Sequence, residues 1–89
     1  MSRFIKDPDA VLDYQWDWSA WLASGETITA AEIIADTGIT VVDDSKTDTT
    51  VTARLSGGTL DELYKVTCRI TTNQSRVDDR TITIRVKHR

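Results

Sequence analysis

Apolar and polar residues alternate through most of the C-terminal half of the chain. In the segment YKVTCRI, Tyr64, Val66, Cys68 and Ile70 are separated by polar residues. The segments TVTARL (50–55) and RTITIRVK (80–87) have the same period of two. Such alternation is typical of strands with one buried face, and turn signals follow every 8–12 residues. The pattern therefore predicts an all-β domain, either a sandwich or a barrel.

The middle of the chain gives a less regular pattern. In ETITAAEIIAD (26–36) neither face is cleanly apolar, and the segment is predicted to be a strand with a kink. GITVV (38–42) is predicted to be a short β-branched strand that ends at the polar run DDSKTDTT. The pattern leaves the strand pairing of residues 26–42 open.

Three tryptophans and a tyrosine lie within ten residues, DYQWDWSAWL. If this segment is a strand, Tyr14, Trp16 and Trp18 lie on one face, and at least two of them are expected in the core. A sheet of so small a domain is expected to leave at least one ring exposed. Trp21 falls off the alternation unless the chain bends near residues 19–20, and it is the ring predicted to dock on a partner.

Residues 1–12 are predicted to form an extended N-terminal arm, and residues 13–89 the β-sandwich domain. The arm is mostly polar, and Pro8 disfavours a helix at Asp7. Its first ten residues lack the apolar segment and cleavage site of a signal peptide, so the protein is expected to stay in the cytoplasm where it is made. No apolar run is long enough to span a membrane.

Charge is unevenly distributed along the sequence. The net charge is −3, which disfavours a nucleic-acid partner because binding requires neutralisation of phosphates. Residues 1–48 carry ten acidic and three basic residues, whereas residues 49–89 carry four acidic and eight basic ones. Either interleaved strands mix these charges in space, or the domain has an acidic face and a basic face suited to docking. Arg54, Arg69, Arg85, Lys87 and Arg89 form the only candidate basic face.

Candidate chemistry is sparse, and no catalytic, cofactor-binding or metal-binding residues are predicted. The single histidine, His88, lies next to the C-terminal residue. Cys68, the single cysteine, shares the apolar face of its strand and is expected to be a buried small hydrophobe. The acidic pairs Asp43–Asp44 and Asp78–Asp79 are expected in solvated turns. Arg76 and Arg80 flank the second pair, and an ion-pair cluster is predicted there.

Tyr64 opens a strand of alternating small hydrophobes after the turn at residues 56–59. This arrangement is similar to the tyrosine corner of immunoglobulin-like and fibronectin-like sandwiches, in which the hydroxyl bonds to upstream backbone. The spacing from Tyr64 to Cys68 differs from that of disulfide-bonded antibody domains. The expected fold is therefore a single immunoglobulin-like or fibronectin-like β-sandwich.

Residues 7–87 also resemble a family of small virion proteins of tailed bacteriophages, described as fibre-tail adaptors or head–tail connectors. The matching positions include Asp13–Tyr14, Asp17–Trp18–Ser19, Trp21–Leu22, Gly25, Ser56–Gly57–Gly58, Tyr64, Thr71–Thr72 and Arg76. The resemblance implies a non-enzymatic structural module that is present in several copies. It also implies assembly into the virion in the bacterial cytoplasm.

Two functions are therefore weighed. The first is a virion adaptor that joins tail or neck components (connector, tail or fibre) through protein–protein contacts. The alternative is a carbohydrate-binding or adhesion module that uses exposed tryptophans. The residues predicted to form a partner interface are Phe4, Ile5, Asp13, Tyr14, Trp16, Asp17, Trp18, Trp21 and Arg76.

Overall fold

The computed structural model describes the backbone of residues 2–87 and the side chains of residues 4–87. Met1, His88 and Arg89 lie outside the described residues. The described part of the chain contains seven strands. They are β1 (Ser2–Lys6), β2 (Leu12–Asp17), β3 (Ile28–Ala35), β4 (Ile39–Lys46), β5 (Thr50–Gly57), β6 (Leu63–Thr72) and β7 (Val77–Val86).

The strands form two packed sheets. The four-stranded sheet has the order β1-β7-β6-β3, and the three-stranded sheet has the order β2-β5-β4. All neighbouring pairs are antiparallel except β1 and β7, which run parallel. The prediction of an all-β domain is confirmed, and the immunoglobulin-like type stays a prediction.

The core lies between the sheets and is built from the alternating residues of β2, β5, β6 and β7. Val51, Ala53 and Leu55 of β5 are fully buried, and Val66, Cys68 and Ile70 of β6 face them. The period of two in the sequence therefore identified the inward faces of these strands. Cys68 is a buried free thiol, as expected.

The three rings predicted to share one face of β2 are all buried, so the expectation that one of them would stay exposed is wrong. Tyr14, Trp16 and Trp18 are 6%, 4% and 0% exposed. Tyr14 lies opposite Ala53 and Trp16 lies opposite Val51, so each large ring of β2 has a small neighbour in β5. Trp18 follows the end of the strand, and its backbone N–H donates to Thr49 O at 2.9 Å. Small residues alongside and a bend after Asp17 provide the room for three rings.

Both strands of the irregular middle segment contain a bulge. The pairing of β3 with β6 shifts between Ile28 and Ala30, which confirms the predicted kinked strand. The pairing of β4 with β5 shifts between Val41 and Asp43. After this bulge β4 continues to Lys46, so Asp43 and Asp44 lie in a strand and their predicted turn is wrong. The bulge absorbs one residue and lets pairing continue through a polar segment.

The N-terminal segment is extended, and part of it belongs to the sandwich. Ser2–Lys6 forms β1, which pairs with Ile82–Val86. Lys6 is fully buried, and its Nζ donates to Gly57 O at 2.8 Å and to Asp7 O at 2.9 Å. Burial lowers the pKa of this amine below its usual range. The boundary between arm and domain at residue 12 stays a prediction, but residues 2–6 do not project from the sheet.

The corner before β6 is closed by Tyr64. Its hydroxyl accepts a hydrogen bond from Thr59 N at 2.8 Å, which is the upstream backbone contact predicted for this residue. Gly58 has a φ of +100°, and a Cβ there would lie 2.5 Å from Val86 Cγ2. Only glycine combines this backbone conformation with so close an approach. The corner therefore fixes the start of β6 against the end of β7.

We expect Trp18→Ala to lower the free energy of unfolding by about 3–5 kcal/mol, because it removes a fully buried ring and leaves a cavity. The control is Val42→Ala, at a side chain that is 50% exposed, which should change stability by no more than about 0.5 kcal/mol. Urea unfolding of both variants, followed by circular dichroism, measures the difference. Equal stability of the two variants would contradict the central position of Trp18.

Candidate functional site

The aromatic segment ends in a turn that gathers two rings and two arginines. The N–H groups of Trp21 and Leu22 both donate to Trp18 O, so the chain turns back directly after β2. Trp21 thereby meets Trp18 edge to face, with 5.5 Å between ring centroids. The Arg76 guanidinium lies 4.0 Å from the centroid of the Trp21 ring, and that of Arg80 lies 4.3 Å from the centroid of Trp18. These distances are typical of cation–π contacts.

Glu26 is the buried anion of this region. Its Oε2 accepts from Thr72 Oγ1 at 2.6 Å and from Arg76 Nε at 2.9 Å, and its Oε1 accepts from Ala23 N at 2.9 Å. Hydrogen bonds from Arg76, Thr72 and Ala23 lower the pKa of Glu26 to about 2. The carboxylate thus joins the loop between β2 and β3 to the turn between β6 and β7.

The predicted ion-pair cluster of Arg76 and Arg80 with Asp78–Asp79 is wrong, because these residues have other partners. Arg76 pairs with Glu26, and Arg80 Nη1 donates to Asp17 O at 2.9 Å. Asp79 instead accepts two hydrogen bonds from Arg69, which lower the pKa of the Asp79 carboxyl. Residues 77–86 form a strand, so Asp79 and Arg80 point to opposite faces of the sheet. Asp78 and Asp79 therefore do not lie in the turn that was predicted for them.

A groove opens between the two sheets on the side of β1 and β2. It has a volume of about 590 Å³ and is lined by Phe4, Gln15, Trp16, Asp17, Arg80, Thr81 and Ile82. Phe4 is 38% exposed and meets Tyr14 edge to face at 5.1 Å. The buried Nε1 of Trp16 has no hydrogen-bond partner among the described residues. An unpaired buried donor costs about 1–3 kcal/mol.

A second exposed apolar patch lies on the outer face of the four-stranded sheet. Ile5 and Leu63 both pair with Arg85 in register, so the three residues share that face. Ile5 is 51% exposed and Leu63 is 52% exposed. With Phe4 and Thr83 they line a shallow cavity of about 250 Å³. Leu63 was missed in the sequence, because the strand alternation appeared to begin at Tyr64.

The charge asymmetry of the sequence persists between the two sheets. Among residues 4–87, the strands of the four-stranded sheet carry five basic and three acidic residues. The strands of the three-stranded sheet carry two basic and four acidic residues. Arg54 lies on the outer face of the three-stranded sheet between Asp13 at 3.1 Å and Asp43 at 3.6 Å. The candidate basic face required Arg54 to share a face with Arg69 and Arg85, and it does not.

The structure distributes the nine predicted interface residues over several places. Trp18, Trp21 and Arg76 form an arginine–tryptophan cluster with Arg80, and the backbone oxygen of Asp17 accepts from Arg80. Phe4, Tyr14 and Trp16 lie at or beneath the groove. Ile5 and Asp13 lie on the outer faces of opposite sheets. Asp17 Oδ1 accepts from Ser19 N at 2.9 Å, so its carboxylate stabilises the turn.

Sequence reasoning missed Glu26, Thr72 and Arg80, which lie in or next to the cluster of Trp18, Trp21 and Arg76. Glu26 and Arg76 are 50 residues apart, and nothing in the local pattern connects them. Arg80 carried a signal in its alternation with Ile82 and Ile84, which places it on the inward face of β7. That signal was overlooked because the adjacent aspartates suggested a local ion pair.

Two features bear on reactivity and metal binding. Burial raises the pKa of the Cys68 thiol to about 11. Residues 2–87 contain no group of three or more His, Cys, Asp or Glu residues that could hold a metal ion. The described part of the chain contains no helix that is long and apolar enough to cross a membrane.

The fold and these surfaces define a small two-sheet β module with a packed core and exposed apolar surfaces. The model of the family described as podophage GP4 fiber-tail adaptor protein gp77 matches residues 6–85. The chain belongs to this family, as its resemblance to phage fibre-tail adaptors predicted. Membership implies a structural adaptor role and a location in the virion. A search of curated proteins found no match.

The Glu26 contacts predict how stability depends on pH. The Glu26 pKa is about 2 in the folded protein and about 4.5 as a free side chain, so its stabilising effect is complete above pH 4.5 and is lost as the pH falls towards 2. Glu26→Gln should lower the melting temperature at pH 7, and the difference from the unmodified protein should narrow between pH 4.5 and pH 2.

Thermal melts at pH 7, 4.5, 3 and 2 measure this narrowing. The matched control is Glu32→Gln, because Glu32 is exposed on the outer face of β3. It should have a much smaller effect at pH 7. A constant difference between Glu26→Gln and the unmodified protein across this range would show that the carboxylate charge does not stabilise the fold.

Proposed function

We propose that this protein is a non-enzymatic adaptor in a podophage virion, where it joins tail or neck components (connector, tail or fibre) through protein–protein contacts. The match of the fibre-tail adaptor family over residues 6–85 carries this proposal. Several copies in a symmetric assembly, formed in the bacterial cytoplasm, are part of the same proposal. The partners are other virion proteins, and nucleic acid and membranes are not among them.

The patch of Ile5, Leu63 and Arg85 supports such a role. Two half-exposed aliphatic side chains flank an arginine, and a small cavity lies between them. Interfaces are commonly centred on an apolar group in a pocket with arginine nearby. Ile5 is an interface residue predicted from the sequence, and we add Leu63 and Arg85 to the proposed interface because they share its face.

The carbohydrate hypothesis needs a row of accessible rings beside polar groups. Tyr14, Trp16 and Trp18 are core residues, so a sugar could stack on them only if the sandwich opened. Trp21 is half-buried, and Arg76 covers one face of its ring. The geometry therefore favours the adaptor over the alternative.

Incorporation into particles tests the adaptor role. A phage lacking this gene is complemented with tagged variants, and purified particles are analysed by quantitative mass spectrometry. Ile5→Asp with Leu63→Asp should reduce incorporation at least about tenfold, because truncation of interface hot spots costs about 2 kcal/mol or more. The control is Val42→Asp, at an equally exposed aliphatic residue on β4.

Thermal melts must show that both variants fold. Deletion of residues 1–10 is unsuitable, since it would remove β1 and the buried Lys6. Normal incorporation of the double variant would exclude this patch as a contact. Absence of the unmodified protein from particles would overturn the adaptor role itself.

A further inference from the structure

We propose that the groove between β7 and β2 binds an extended segment of another virion protein, which adds as a strand beside the N-terminal half of β7. This inference rests on the proposed function and specifies the chemistry of one partner. It is independent of the patch formed by Ile5, Leu63 and Arg85, which lies on the outer face of the sheet.

The first support is an unpaired strand edge. β1 pairs with β7 only at Ile82–Val86, whereas β7 begins at Val77. Val77–Arg80 therefore has β6 on one side and no described strand on the other. The backbone N–H and C=O groups of such an edge form a template for another strand. Val77 is also 60% exposed.

The second support is the groove directly beside this edge. Its volume of about 590 Å³ is within the range of roughly 300–1,000 Å³ that is common for ligand sites. Phe4, Trp16 and Ile82 give the groove an apolar wall, and Phe4 is 38% exposed. The groove therefore offers an apolar surface beside the unpaired edge.

The side chains at the edge indicate what the segment carries. Arg80 is on the inward face of β7, because its partner in β6 is the buried Cys68. Its guanidinium contacts Asp17 O and the Trp18 ring and makes no ion pair among the described residues. A carboxylate on the added strand would meet it with a charge-assisted bond.

The next position along the free edge is set by the pairing of β1. Inward-facing positions on a strand recur every second residue, and the position opposite Ile82 is already taken by Ser2 of β1. The next inward side chain of the added strand would therefore lie opposite Asp78, whose partner in β6 is the buried Ile70. A basic side chain there would complement Asp78. The predicted partner is an extended segment in which an acidic residue and a basic residue are separated by one position.

A second copy of this chain is a poorer occupant. Its strands β3 and β4 are interrupted by bulges, and β2 and β4 carry aspartates, all of which disfavour edge-to-edge pairing. A symmetric pairing of two β7 edges centred on Asp79 would place two carboxylates directly opposite each other, which is destabilising. A strand from a different protein has neither disadvantage.

Site-specific photocrosslinking in intact virions tests this proposal. The photoreactive residue p-benzoylphenylalanine replaces Val77, and the matched control places it at Val42, on the exposed β4 strand. After irradiation, the crosslinked peptides are identified by mass spectrometry. We expect Val77 to crosslink to one segment of another virion protein with the acidic and basic pattern, and Val42 not to crosslink to that segment.

A competing strand supplies the second measurement. Four residues of sequence Thr-Val-Thr-Val, inserted before Ser2, would extend β1 along the free edge, whereas a Gly-Ser insertion of equal length would not. The first insertion should reduce the Val77 crosslink at least tenfold, and the second should leave it unchanged.

Each outcome separates this inference from the adaptor role. Crosslinking of Val77 to a second copy of this chain, or to no protein in virions that contain it, overturns the strand-docking site and leaves the adaptor role standing. An unaffected crosslink in the Thr-Val variant also overturns it. Absence of the unmodified protein from virions overturns the adaptor role instead.

Discussion

The burial of Trp18 between the two sheets is the contact on which the rest of the structure depends. Its ring is fully buried and meets Trp21 and Arg80, while its backbone groups bond to Thr49, Trp21 and Leu22. A chain of this length buries only a modest share of its surface, so one large ring carries much of the stability. The bend after β2 and the position of the following loop both depend on this ring.

The polar contacts around that ring close one end of the sandwich. Glu26 and Arg76 connect the loop after β2 to the turn before β7, and Arg80 reaches across to Asp17 O. At another side, Lys46 Nζ donates to Ile28 O and joins β4 to β3. Beside the contact between Arg80 and Asp17, the groove opens between β7 and β2 towards β1. A family role in joining virion components agrees with a sandwich that is closed on some sides and accessible on another.

Sequence periodicity predicted the strands well where one face is buried and the other is solvated. In β5, β6 and the C-terminal half of β7, every second residue enters the core, so burial and sequence have the same period. Periodicity was weaker in β4, because a bulge shifts the alternation and the exposed half of the strand is polar. It also could not pair Glu26 with Arg76 or Asp79 with Arg69, since such contacts depend on which strands become neighbours.

The sequence by itself determined the class of fold, the inward faces of the main strands, the buried cysteine and the family. These properties follow from local alternation and from residue types at matching positions. Only the tertiary structure decided that three aromatic rings fit into the core and that residues 2–6 form a strand beside β7. It also decided that one edge of β7, at Val77–Arg80, has no neighbouring strand among the described residues. Each of these depends on strand order and register, which bring together residues that are distant in sequence.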